Sequence, residues 1–270
     1  MSAISHIGHI SADTAVIAKR NVIKITRVPE VMVFVLLSPI MFVLLFGYVF
    51  GESIDVGGIN YREFLMAGIF AQTVMFGATF TGAGIADDMQ KGIIDRFRSL
   101  PMTRSAVLTG RTISDVVYNL LSVMIMAATG LLVGWRIRNS LLEAIAAFAL
   151  LLLFAYSISW IMAYIALLVP SVEVINNASF MVIFPLSFIA NTFVPAEALP
   201  GALQTFAEWN PVSTVTQAAR ELFGNIPEGT PEPDVWSLQN PVLYTLIWVV
   251  IFIGVFAPLS VRRYSRSQRR

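Results

Sequence analysis

Charged side chains gather in one place, between Asp87 and Arg111 (DDMQKGIIDRFRSLPMTRSAVLTGR), where Lys91, Arg96, Arg98, Arg104 and Arg111 share a short stretch with Asp87, Asp88 and Asp95. Guanidinium and carboxylate groups at close spacing form charge-assisted hydrogen bonds of defined geometry, so the chemistry on offer is recognition rather than bond-making. Ile93, Ile94 and Phe97 add apolar knobs among the charges, the mixture that a gripped protein surface carries. The plainer alternative is that the bases enforce orientation and bind anionic lipid. A link that only reversed the chain would need a handful of residues.

Bond-making machinery is missing. There is no GxxxxGK[ST] phosphate loop, no HExxH and no GxSxG nucleophile elbow. The chain has no cysteine, and its two histidines, His6 and His9, have no evident third ligand, so a solvent-exposed pair is the expected reading rather than a metal site. Any energy source must be a partner subunit or an ion gradient.

The elements that carry these residues are apolar. Of 270 residues, 56% are hydrophobic and 13% charged, and the mean hydropathy is +0.73. Soluble domains carry about 25% charged residues, so lipid is the expected solvent. Continuous apolar runs predict an all-α integral membrane protein with six spans, at 31–50, 64–86, 113–133, 141–169, 174–193 and 242–260. A polar leader of some 30 residues ahead of the first run argues against a cleaved signal peptide. Placing both termini in the cytoplasm puts 14 of the 18 Lys and Arg residues inside, leaving Arg62, Arg136, Arg138 and Arg220 outside. Asp115 and Glu143 are expected near helix ends, where water access makes their charge tolerable.

The divisions follow. Residues 1–30 form a leader, 31–260 the membrane domain and 261–270 a basic tail, with a cytoplasmic loop at 87–112 and an outer gate region at 194–241. Within the leader, Arg20, Lys24 and Arg27 share a stripe opposite Ile17, Val22, Ile25 and Val28, with Val16 and Ile23 out of pattern. That pattern predicts a helix lying on the inner membrane surface, or one resting on a partner. In the outer region, prolines forbid one long helix, but Gly201–Trp209 and Val212–Phe223 are helix-competent and too short to cross. Trp209, Phe206 and Phe223 suit the outer interface. The Gly47–Gly51 and Gly130–Gly134 pairs fit the GxxxG spacing but sit at helix ends. The tail RRYSRSQRR suits anionic lipid better than nucleic acid.

Two separated motifs carry a family resemblance. Gly84, Asp87–Asp88, Gly92 and DRFRSLPMTRSAVLTGR resemble the cytoplasmic loop of ABC-2 type transporter permeases, nearest the daunorubicin/doxorubicin-resistance type. NTFVPAEALPGALQTFAEWNPVSTVTQAARELF resembles the same family's motif after the fifth helix, with Phe193, Pro195, Leu199, Pro200, Trp209, Asn210, Pro211 and Arg220 as landmarks. The resemblance implies a bacterial plasma-membrane permease subunit that pairs with a second permease, expected as a homodimer with a pair of related permeases as the alternative, and docks two ABC ATP-binding subunits. ATP and Mg belong to those subunits, and this chain holds no cofactor. A coupling helix is implied within Lys91–Leu100, ended by Pro101, so the docking residues are Asp88, Lys91, Gly92, Ile94, Asp95, Arg96, Phe97, Arg98, Leu100, Pro101 and Arg104.

It also implies that the second and fifth spans line the pathway for a drug or lipid, by alternating access. Such a pathway is apolar with a few polar groups. The candidates are Gln72, Thr73, Phe76 and Phe80 from the second span and Phe184, Phe188 and Asn191 from the fifth. Ordinary packing would use the same aromatics, whereas an amide in hydrocarbon needs a partner. A gradient-driven transporter and a membrane scaffold remain the competing readings; the first normally places an ionisable residue deep in a span.

Overall fold

The computed structural model describes residues 13–23, 37–38, 40–46, 48, 61–99, 103–169, 171–226 and 232–266, with backbone alone at Asp95, Arg98, Ser99, Arg104 and Arg266. Leu100 and Pro101, both histidines, Lys24, Arg27, the Gly47–Gly51 pair and half of the first expected span lie outside those residues. Every described element is helical. Residues 13–23 form α1 and residues 40–46 form α2. There follow α3 (Tyr61–Gln90), α4 (Ile93–Ser99), α5 (Arg104–Val133), α6 (Leu141–Leu168) and α7 (Val172–Phe188). A 3-10 turn at Ala196–Ala198 leads to α8 (Gly201–Trp209), α9 (Pro211–Phe223), α10 (Trp236–Gln239) and α11 (Pro241–Arg266).

Among the described residues, four helices, α3, α5, α6 and α11, are long and apolar enough to cross a membrane. α7 has 17 residues, about 26 Å of helix against about 30 Å of hydrocarbon. α3 lies at the centre and is buried nearly all round, while α11 is peripheral. Several boundaries differ from the hydropathy reading. α5 begins at Arg104 rather than 113, because Ala106, Val107 and Leu108 are buried and continue its packing face below the apolar run. α3 likewise runs on to Gln90, so the break between the two helices is 91–103 instead of 87–112. α7 ends at Phe188 rather than 193, since the Asn191 N–H turns to Ser213 Oγ at 3.1 Å instead of the helix ladder. The expected tail starts as helix, α11 continuing to Arg266.

Capping fixes the remaining ends. Ser140 and Glu143 form a reciprocal capping box on α6, which settles Glu143 at a helix end. The Asn210 side chain accepts from Val212 N–H at 2.9 Å, and Pro211 occupies the first position of α9, where no N–H is needed. Gly92, at φ +64°, makes the left-handed corner between α3 and α4.

α3 and α5 are joined by an antiparallel series of polar rungs. Gly77 leaves room for the Asn119 amide, and Gly84 for the Arg111 guanidinium; a methyl group at either would overlap it. Between them, Thr81 Oγ1 donates to Asp115 Oδ2 at 2.5 Å, and Arg111 Nε lies 3.3 Å from the same oxygen. Arg111 Nη2 also donates to Phe80 O at 2.8 Å. Asp115 is therefore no helix-end residue. It stands about 16 Å along the axis from the start of α5, its side chain 1% exposed, and its charge is met by Arg111 rather than by water.

At the far end of α3 an aromatic knot forms the core. Phe70, Trp135, Phe148 and Phe223 pack with ring centroids 5.0–5.8 Å apart. Phe223 is fully buried in it, against the expectation of an interfacial ring, whereas Phe206 and Trp209 are exposed as expected. Lipid tails are as apolar as leucine, so such contacts hold helices together by close packing.

Candidate coupling, cavity and outer sites

At the end of the molecule where α3 stops and α5 starts, α1 lies against both. Its Thr14, Ile17 and Asn21, at helical spacing, are buried, and Ile17 presses on the small surface of Gly110 in α5. Val16 and Ile23, which break the sequence pattern, share the opposite, exposed stripe with Lys19. Arg20 makes a bidentate bond to Asp88, with both N–O distances 3.2 Å, and its guanidinium lies 5.1 Å from the Phe97 ring centroid. Asp13 Oδ2 accepts from the Thr103 N–H at 3.1 Å.

The residues assigned to docking therefore divide. Lys91, Gly92 and Arg96 are exposed. Lys91 sits 2.7 Å from Asp87, and that hydrogen bond holds its amine above the usual value. Asp88 and Ile94 are turned inward, at 7% and 4% exposure, and Phe97 is half-buried beneath Arg20. The apolar knobs of α4 thus fasten it to its own chain. Asp95, Arg98 and Arg104 are located by backbone only.

A cavity of about 370 Å³ opens beside the middle of α3. Gln72, Thr73, Phe76, Phe80 and Phe184, five of the seven pathway candidates, line it. Phe188 and Asn191 do not. Phe188 stacks on Phe184 with ring centroids 4.2 Å apart and lies tilted against Phe193 at 4.9 Å, and Asn191 lies in the turn after α7, where its Nδ2 is 3.4 Å from Gln217 Oε1. Sequence reasoning missed Ser38 and Phe42 before and in α2, and Tyr118 and Ser122 in α5. The polar stripe Asp115, Asn119 and Ser122 was a usable signal, because a repeat of polar residues on an otherwise apolar helix marks a packed face.

At the opposite end, Arg220 of α9 is 1% exposed. Nε donates to Phe64 O at 3.0 Å, and Nη2 to Asn191 O at 2.5 Å and Thr192 O at 3.1 Å. Its guanidinium stands 3.5 Å from the Phe64 ring centroid. Burial pushes it down to about 9, so it stays cationic at neutral pH. The turn after α7 also sits on Gly68 of α3, where no side chain keeps it away. Arg138 pairs with the buried Glu63 at 2.8 and 3.0 Å, and Arg136 donates to Leu131 O and Trp135 O. The four bases that break the charge asymmetry thus have local work; Arg62, the last, lies 4.6 Å from the Tyr48 ring.

Glu221, next in α9, is pushed up to about 7 by burial. A carboxyl raised in the folded state contributes stability that is present at pH 4.5 and is lost as pH rises through 7. In detergent, the melting temperature is expected to fall between pH 5 and pH 8, and Glu221→Gln to flatten that fall. An unchanged slope in the variant would remove Glu221 as its cause.

Residues 13–223, from α1 to the end of α9, match the family described as ABC-2 type transporter. The chain is 32% identical over 236 residues to the daunorubicin resistance ABC transporter permease protein DrrB1 of Streptomyces coeruleorubidus, covering 87% of this chain and 80% of that one. It is 21% identical over 225 residues to the "Probable doxorubicin resistance ABC transporter permease protein DrrC" of Mycobacterium tuberculosis, covering 83% and 78%.

Proposed function

The chain belongs to the ABC-2 type transporter family, and from that premise we propose that it is the membrane-spanning permease subunit of an ATP-driven exporter of hydrophobic or amphipathic drugs or lipids. The observation that carries this reading is the match itself, whose span of 13–223 takes in α1, the charged segment, the cavity and Arg220. Resistance permeases among its relatives support a drug-like cargo. The cavity supports it too: about 370 Å³, walled by phenylalanines with Gln72 and Thr73 among them, within the range of small-molecule sites.

In this reading α7 and the segment around α2 complete six spans. The end carrying α1, α4 and the last turn of α11 faces the cytoplasm of a bacterial cell. Two permease copies pair, and an ATP-binding subunit docks on each. ATP and Mg are held there, and closure of the paired ATPases moves α4. Because α4 hangs from α3 at the Gly92 corner, its displacement passes along α3 to the cavity wall. Cargo then leaves past the turn held by Arg220. Lys91 and Arg96, the exposed bases, carry the docking contact, and Arg98 of the same short helix joins them.

Purification of the tagged chain from its native membrane in mild detergent tests this. A stoichiometric ATP-binding subunit is expected, and Lys91→Glu with Arg96→Glu should cut its recovery at least about tenfold, as loss of a charge-complementary contact does. Recovery of a pure permease with no ATPase would overturn the assignment.

A further inference from the structure

We propose that α1 is a clamp on the coupling segment and that Arg20 is its positioning residue. The inference rests on reading the charged segment as the place where the ATP-binding subunit docks. A seven-residue helix has little stability of its own, so α4 holds its place only through tertiary contacts. Ile94 is buried in the main core, and Phe97 packs at its edge. Arg20 then reaches across from α1 to join two elements at once: its fork takes both oxygens of Asp88 in the last turns of α3, while its plane covers Phe97 of α4. Asp13, two turns earlier on α1, takes the Thr103 N–H just before α5.

The clamp therefore bridges the elements on either side of the break at 91–103. α1 itself is anchored independently of Arg20 through Ile17 against Gly110 and the buried Thr14. A force on α4 is thus shared with α1 and with the start of α5, not carried by the Gly92 corner alone. Planarity matters here: an ammonium would keep the charge but lose both the fork and the stacking.

Hydrogen–deuterium exchange on the full chain in lipid nanodiscs, with no partner subunit present, tests the clamp directly. Arg20→Gln is expected to speed exchange of the α4 amides and of Thr103 about tenfold, as local opening does when a tying contact is lost. The amides of α6 should be unchanged. Arg20→Lys should recover little of the protection. The exchanged pair Arg20→Asp with Asp88→Arg should recover part of it, because the ion pair is rebuilt in the opposite sense. Equal exchange in Arg20→Gln and wild type would overturn the proposal, and so would faster exchange throughout α6, which would mark a general loss of stability. If α4 loosens while the ATP-binding subunit is recovered and hydrolyses ATP as with wild type, the clamp stands and it is the docking assignment that fails.

Discussion

Arg220→Ala is expected to yield a protein that inserts poorly and melts about 10 °C or more below wild type in detergent, a loss on the order of 3–5 kcal/mol. The guanidinium is the common partner of three buried carbonyls, on Phe64, Asn191 and Thr192. Truncation leaves them without it in a place where a missing hydrogen bond costs about 1–3 kcal/mol each, less than additively. It also leaves a void over the Phe64 ring. Arg220→Lys should fall between, because a single ammonium cannot reach carbonyls on both α3 and the turn after α7. Gly68→Ala should resemble Arg220→Ala, since the added methyl would push against Thr192 O, which Arg220 holds. A thermal shift assay decides: an Arg220→Ala midpoint within about 2 °C of wild type, under 1 kcal/mol for a chain of this length, would sink the assignment.

The second large effect is expected at Asp115. Removing its carboxylate strands Arg111, whose side chain is 11% exposed and faces the interior of the α3–α5 pair. Breaking a buried pair from one side costs about 3–5 kcal/mol, whereas replacing both partners by apolar groups is often neutral. Asp115→Leu and Arg111→Met should therefore each lower the yield of monodisperse protein sharply, and the double variant should recover most of it. Double-mutant analysis isolates the coupling between them. A double variant whose loss equals the sum of the two single losses would mean that the two side chains act separately, Arg111 through Phe80 O and Asp115 through Thr81. The same pair bears on energy supply. An ionisable group deep in a span is what a gradient-driven transporter would need, but this one is matched by a fixed cation and shared with Thr81 and therefore reads as a structural rung.

Much of this organisation is legible in the residues alone. Hydropathy located α3, α5, α6 and α11 because a membrane demands about 20 apolar residues in a row whatever the tertiary packing. Pro200 and Pro211 bounded α8 and α9 to within a residue, because proline restricts the backbone locally. Five of the seven pathway candidates line the cavity because Gln72, Thr73, Phe76 and Phe80 share one face of a single helix, and Phe184 stands across from it. Asn191 was misplaced for a definite reason: hydropathy reads on past Phe188, but the chain leaves the helix there to meet Ser213 and Arg220.

Helix ends in charged segments were not legible. Apolar content marks where hydrocarbon stops, while the α3 and α5 ladders continue into water for as long as tertiary contacts support them. Nor was the direction of side chains on α4. Ile94 and Phe97 looked available to a partner because a short amphipathic helix can turn either face outward; burial of Ile94 in the main core and the Arg20 guanidinium over Phe97 belong to the tertiary structure. The amino-acid sequence by itself determined the apolar surroundings, the four long apolar helices and the family, all of which depend on composition and local spacing. The tertiary structure decided which partner each charge takes and how deeply the pair is buried. That choice joins residues as far apart as Arg20 and Asp88, or Phe64 and Arg220, and no local spacing in the chain records it.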